Sequence, residues 1–299
     1  MKKCLVIGST VCDIIIYVDR LPTSQGDVHI KEQMMSLGGC AYNVVSVLHH
    51  LKIPYTFISP VGRGIYGEFV QHHLAAKGIE TTVRLSGNNG CCYCFVEENG
   101  DRTFMSDHGV EYSFQAEWLD DLNLDDYAYV YICGLEVEEK DGQELITALQ
   151  DYKGQIIFAP GPRGHLIDQG RLSAVYALSP IVHLNAEEVM TLMGEDDVQK
   201  AVLKMNARTG RPVIVTQGAD GVLVYDGDFT QLTGYPQQVV DTIGAGDSHV
   251  GAVMAGQAAG RPLVAAAEFG NKVSSEIVGV SGVELPGEVY LKLREVLNP

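Results

Sequence analysis

The feature that most limits how this chain can fold is a recurrence: short runs of continuous apolar residues, each followed by a stretch of helical period. The runs fall at Cys4–Ile7, Thr56–Val61, Tyr129–Ile132, Ile156–Ala159, Ile181–Leu184 and Val213–Thr216. Unbroken apolarity suits strands buried on both faces, whereas a half-exposed strand alternates. Between the runs, Ala41–Leu51 puts Val44, Val47, Leu48 and Leu51 on one stripe, and Gly67–Lys77, Gln143–Tyr152, Val198–Thr209 and Gly246–Gly260 read as further helices. Strand–helix alternation of this kind predicts an α/β fold, a mostly parallel sheet with helices on both faces. At 299 residues, 46% of them hydrophobic, the chain can bury one large core. No internal repeat or linker divides it, so a single domain over residues 1–299 is expected.

Two stretches break the rhythm. Val28–Met35, and Cys91–Val96 with Arg102–Ser106, alternate with period two, and Glu98-Asn99-Gly100-Asp101 is a hairpin turn. Such strands do not join a parallel core easily, which predicts a small β-sheet lid contributed by residues 14–36 and 90–108. Both faces of Cys91–Val96 are apolar, so one face could cover a ligand and the other a second copy of the chain. A packed edge of the same domain explains the pattern equally well.

Charge and cysteine usage exclude whole classes. Twenty-one basic against 38 acidic residues give a net charge of −17, which repels a nucleic-acid backbone. An acidic chain of this kind binds phosphate only through oriented N–H groups or a metal. The seven cysteines, at 4, 12, 40, 91, 92, 94 and 133, include no C-x-x-C pair, so reduced thiols are expected. Met1-Lys2-Lys3 leads directly into an apolar run too short for a signal segment, and no run approaches the roughly 20 residues of a membrane span. A cytoplasmic protein without a membrane partner is the expectation.

The most informative motif is Asp241-Thr242-Ile243-Gly244-Ala245-Gly246-Asp247, which opens an Ala/Gly-rich helix. Small residues at a helix start let N–H groups converge on an anion, and the helix dipole adds positive potential. A carboxylate beside them, Asp247, suits phosphoryl transfer, in which one group takes a hydroxyl proton while donors hold the migrating charge. Locally, Asp247 could equally cap a closely packed helix. Gly62-x-Gly64-x-x-Gly67 matches a dinucleotide fingerprint, with Glu80 at suitable distance, but Glu80 follows a helix end and not a second strand. There is no G-x-x-x-x-G-K-[ST] loop and no G-x-S-x-G elbow.

The Asp241–Asp247 motif resembles the carboxy-terminal signature of the PfkB/ribokinase-type sugar and nucleoside kinases, and Gly38-Gly39 with Asn43 resembles their amino-terminal one. The likeness runs in order along nearly the whole chain: Gly8 to Asp13, the paired glycines, Val61-Gly62, Asn185-x-x-Glu188, Thr216-x-Gly218-x-x-Gly221 and the final turn. It implies a ribokinase-like three-layer α/β/α fold with a lid, and an ATP-dependent kinase acting on a hydroxymethyl group. By the same resemblance Asp247 is the base, and Gly244, Ala245 and Gly246 form the anion hole. Asp13, at the end of the first strand, Gly38, Gly39 and Asn43 bind the sugar or nucleoside. Asn185, Thr216, Gly218, Gly221 and Asn271 serve the nucleotide, and Glu188 reaches Mg²⁺ through water. The two apolar faces of Cys91–Val96 lead us to expect a homodimer through the lid, and the resemblance leaves open a monovalent cation beside the Asp241 loop, as in several relatives.

Bland roles stand beside these. Asn185 is a good helix cap, with Glu188 an ordinary first-turn acid, and Thr216 to Gly221 could be a simple strand–turn–strand connection. The chain also departs from the family pattern at Arg63, where an acid is usual, and at His249, where Phe is usual. Arg163, after a proline turn, could reach a phosphate or lie on the surface. A silent sugar- or nucleoside-binding protein on the same scaffold is the alternative to an enzyme, and retention of Asp247 with its glycine turn speaks for the enzyme.

Overall fold

The computed structural model describes residues 1–297. Its strands are β1 (Lys3–Ile7), β2 (Val11–Tyr17), β3 (Glu32–Gly38), β4 (Tyr55–Ile58), β5 (Val61–Arg63), β6 (Arg84–Asn88), β7 (Cys91–Val96), β8 (Arg102–Asp107), β9 (Tyr127–Cys133), β10 (Gln155–Ala159), β11 (Ile181–Asn185), β12 (Val213–Thr216), β13 (Val222–Tyr225) and β14 (Phe229–Leu232). Eight of them form one sheet in the order β14-β13-β12-β11-β10-β9-β1-β4. It is parallel from β12 to β4, and β13 and β14 are added antiparallel at one edge.

The apolar runs sort themselves by side-chain alternation. Cys4, Val6, Tyr131 and Ile214 point into one core with helices Cys40–His50, Ala245–Ala258 and Leu263–Val278. Leu5, Ile7, Ile132 and Val215 point into a second core with helices Gly142–Ala148, Gln169–Ala177 and Val198–Thr209. Helices therefore cover both faces, which is why these strands are apolar without interruption. Among the described residues no helix is long and apolar enough to cross a membrane.

A four-stranded sheet, order β3-β2-β7-β8, stands apart from the large one. In it Asp13 lies opposite both Ser36 and Cys92, and Ile15 lies opposite Met34 and Cys94. Two-residue periodicity puts Asp13, Ile15, Phe104 and Arg102 on one face and Ile14, Tyr93 and Met105 on the other. The second face packs toward helix Gly64–Lys77, where the Tyr93 and Tyr66 hydroxyls meet at 3.0 Å. The chain's own helix thus covers much of the face that the sequence had offered to a second subunit.

Several boundaries moved for identifiable reasons. Thr56–Val61 divides into β4 and β5 because Pro60, which has no N–H, interrupts it. β3 begins four residues later than the alternation suggested and runs on to Gly38, which pairs with Val11. Asp13 is the third residue of β2; Gly8, at φ 149°, breaks the chain between β1 and that strand.

Candidate active site

The Asp241–Asp247 turn lies at one end of the large sheet. Gly244 is left-handed, at φ 67°, and a Cβ there would lie 2.3 Å from Val283 Cγ1, so no other residue fits without a shift. The helix starts at Ala245, and the N–H groups of Gly244, Gly246 and Asp247 find no acceptor among the described residues. Ala245 differs from the expectation: its N–H turns back toward Thr242 O, at 3.3 Å. The open donors are therefore those of residues 244, 246 and 247. A Cβ on Gly246 would meet nothing within 4 Å, so the space beside those donors is clear.

Asp247 accepts a hydrogen bond from Asn43 Nδ2 at 2.9 Å. Burial pushes its carboxyl above the usual carboxylate range, and contacts with Asn43 and the Cys40 thiol pull the other way. Asn43 Oδ1 is buried without a partner. Asn43 belongs to helix Cys40–His50, whose N-cap is Gly39 at φ 98°; a side chain there would run into the Ser9 carbonyl.

Asp13 reaches the same place from the smaller sheet. A Cβ on Gly38 would fall 1.9 Å from Asp13 Oδ2, so Gly38 is the notch that admits the carboxylate. Burial first, and the charge of Asp247 second, push Asp13 up to about 7. The two acids thus feel one another.

Beyond Asp247 opens a cleft of about 460 Å³, within the usual size for a small-molecule site. Asn185, Glu188, Thr216, Gly218, Gly244 and Gly246 all line it. Asn185 and Glu188 form a reciprocal cap: Glu188 N–H donates to Asn185 Oδ1 at 2.8 Å, and Asn185 N–H donates to Glu188 Oε2 at 2.9 Å. The capping role is therefore real, and it fixes both side chains at the cleft rim. Burial, opposed by the Asn185 N–H and reinforced by Asp247, raises the Glu188 carboxyl.

Other sequence-derived candidates serve mainly in packing or pairing. Gly221, at φ 93°, sits against the Leu232 carbonyl and shapes the turn into β13; it does not line the cleft. Asn271 is buried, with its amide donated to the Leu232 and Thr233 carbonyls at 3.4 and 3.3 Å. It ties helix Leu263–Val278 to the end of β14. Arg163 lines the cleft but pairs with Glu138, its Nε 2.8 Å from Oε2. His249 is buried, 2.8 Å from His183, and burial brings it down to about 4, so it is a neutral packing residue. Arg63 is exposed and away from this cleft. The fingerprint glycines 62 and 67 serve close packing: a Cβ on Gly67 would strike the Gly62 carbonyl at 2.5 Å.

Sequence reasoning missed four residues. Cys40 and Cys133 line the cleft beside Asp247. Cys133 donates to the buried Glu136, Sγ to Oε2 at 2.6 Å, and Glu136 also accepts the Ser9 N–H at 2.8 Å. Their place at the ends of β9 and the glycine pair was the available signal, since ligands gather at the carboxyl ends of parallel strands. The fourth is Arg102, in β8. Its Nη2 lies 2.7 Å from Asp241 Oδ1, and its Nη1 donates to Thr242 Oγ1 at 2.7 Å.

Comparison with known proteins agrees with this geometry. Residues 1–288 match the family model described as pfkB family carbohydrate kinase. An uncharacterized sugar kinase of Escherichia coli is 33% identical over 288 residues, 94% of this chain and 90% of that protein. An ATP-dependent ribose-1-phosphate kinase of Halopiger xanaduensis is 26% identical, with 94% of each chain covered. Ribokinase from Thermotoga maritima superposes with a TM-score of 0.86 at 22% identity, covering 98% of this chain and 100% of that one. Arabidopsis thaliana ribokinase, solved with ribose and ATP, gives 0.82 at 19%, with 99% of each covered. The three-layer fold with its separate small sheet is thus the ribokinase fold, and the chain belongs to the pfkB family of carbohydrate kinases, phosphotransferases whose acceptor is an alcohol.

Proposed function

We propose that this chain transfers the γ-phosphoryl group of ATP to a hydroxymethyl group of a sugar or nucleoside, with Asp247 as the base. One observation carries the reading: the Asp247 carboxylate lines a cleft beside three N–H groups that have no acceptor among the described residues. The acceptor oxygen bonds to Pγ, its proton passes to Asp247 Oδ, and the bond from Pγ to the β–γ bridging oxygen breaks to leave ADP. The N–H groups of Gly244, Gly246 and Asp247 hold the negative charge in transit. Asn43 holds Asp247 in place through Nδ2, and its unpartnered Oδ1 is available to an acceptor hydroxyl. Asp13, ionised, accepts from further hydroxyls.

Asn185 and Glu188 suit magnesium held through water. Glu188 engages Oε2 with the Asn185 N–H and leaves Oε1 free at the cleft rim. Among the described residues no cluster of three or more His, Cys, Asp or Glu could cage a metal, which fits an ion carried chiefly by phosphates and water. When bound, the ion neutralises phosphate charge.

The smaller sheet acts as a lid over the acceptor, and its exposed Met34 and Phe104 continue the Asp13 face outward. A second copy of this chain fits that surface. Seven free cysteines suit the reducing cytoplasm.

The experiment is ADP release across a panel of pentoses, hexoses and nucleosides, with isothermal titration of the same compounds. Turnover with one class, abolished in Asp247→Asn, supports the reading. Binding without ADP release from any member overturns it in favour of a silent binder.

A further inference from the structure

The family likeness leaves room for a monovalent cation at the Asp241 loop, so the surroundings of Asp241 decide whether one fits. Asp241 is buried, and its carboxylate meets donors on every side the structure shows. Oδ1 faces Arg102 Nη2 at 2.7 Å and accepts the Ile243 N–H at 2.8 Å; Oδ2 accepts the Gly282 N–H at 3.2 Å. A guanidinium already supplies one positive charge, and a cation at this carboxylate would sit against that charge in poorly solvated surroundings. A monovalent cation therefore does not fit here.

We propose that Arg102 is a built-in cation of the phosphoryl-binding turn, a positioning residue that makes this chain independent of monovalent cations. Its two ends act together. Nη2 fixes Asp241, which in turn holds Ile243 and Gly282, and Nη1 fixes Thr242, whose carbonyl takes the Ala245 N–H. Both constraints bear on the residues immediately before Gly244, so they set the direction of the free N–H groups at 244, 246 and 247. Arg102 comes from β8, which lies 140 residues away in sequence from Thr242, so the turn is completed by the small sheet. The guanidinium fork matches this task, because it holds a carboxylate and a hydroxyl at once, which an ammonium or a spherical ion does less well.

The inference rests on the kinase reading for its effect on rate but not for its effect on stability, so two measurements separate them. Thermal unfolding of the unaltered chain is compared in potassium, sodium and tetramethylammonium chloride at equal ionic strength, which keeps general screening constant. The same Tm in all three is expected, and a potassium-specific rise overturns the proposal whether or not a substrate is found. ADP release is then measured in the same salts. The unaltered chain should show equal rates, whereas Arg102→Met should lose roughly 10-fold or more in kcat/KM, as for a truncated charged hydrogen-bond partner. Part of that loss should return with millimolar guanidinium or with potassium, and Arg102→Lys should lose less. Rates of Arg102→Met equal to those of the unaltered chain in tetramethylammonium overturn it. Should Arg102→Met not fold, the salt comparison on the unaltered chain still decides.

Discussion

Asn43 and Asp247, separated by 204 residues in sequence, are joined by a 2.9 Å hydrogen bond in which the amide donates and the carboxylate oxygen accepts. The bond fixes the rotamer of the acid proposed as base. Asp247→Asn keeps size and shape but cannot take a proton. We expect a fall in turnover of roughly 10²–10⁴-fold, the usual weight of general acid–base catalysis, with nucleotide and acceptor binding little changed by calorimetry. Equal turnover would sink the assignment. Asn43→Leu should lower kcat less and raise the acceptor KM.

Two glycines give a paired test of packing against chemistry. Gly38→Ala drives a methyl group into the Asp13 carboxylate, at 1.9 Å. We expect it to cost about 1–3 kcal/mol of stability, the usual range for overpacking, and to weaken acceptor binding. Gly246→Ala meets nothing within 4 Å and sits inside a helix that tolerates alanine, so Tm should hold or rise. Its methyl group enters the space proposed for the phosphoryl group, so kcat should drop. Calorimetry and steady-state rates on both variants check this; a full rate for Gly246→Ala argues against the cradle.

As the proposed acceptor-binding carboxylate, Asp13 should set an acid limb. With its carboxyl pushed up to about 7, it is increasingly protonated below that pH in the free protein and no longer accepts from hydroxyls. The profile of kcat/KM against pH should fall below about 7 and flatten in Asp13→Asn, whose overall activity is low. Stability runs the other way. A carboxyl raised above its unfolded value of 3.8 favours the folded state at low pH, and that contribution is lost as pH rises from about 4 through 7. Asp13→Asn should therefore raise Tm at pH 8 more than at pH 5, in the absence of ligands. A Tm difference that does not vary with pH would contradict the raised value.

The lid surface gives a hydrodynamic test. Met34 is 42% exposed and Phe104 56%, and both lie on the face that begins at Asp13. Phe104→Glu, alone or with Met34→Glu, should shift the light-scattering mass from two chains to one with little change in Tm measured at low concentration. A mass of one chain for the unaltered protein removes the dimer.

The large sheet could be read because strands buried on both faces advertise themselves; Val213–Thr216 and helix Val198–Thr209 match to the residue. β13, Val222–Tyr225, carries the same unbroken apolar run, buried on both faces, and was passed over as part of a turn connection; β14, Phe229–Leu232, is a short edge strand with little periodicity. The glycine turn and Asn185 with Glu188 were legible because their chemistry is local. Ala245 was misjudged as a free donor because a turn hydrogen bond depends on the conformation of Thr242, which residue types do not report. Asn271 and Gly221 were named from motif position, yet their contacts, with the Leu232 region, depend on how β14 returns past the helix. Arg102 looked like one residue of an alternating strand, and its partner lies on the far side of the chain.

Asp13 on β2 and Arg102 on β8 share one face of a sheet whose strands are paired without a break from β3 to β8. On the lid reading proposed above, raising that sheet to admit an acceptor would withdraw the grip on its hydroxyls and the charge beside Asp241 in a single motion. ATP arriving alone would then face a half-built cradle, and the architecture proposed here would itself hold back idle cleavage by water.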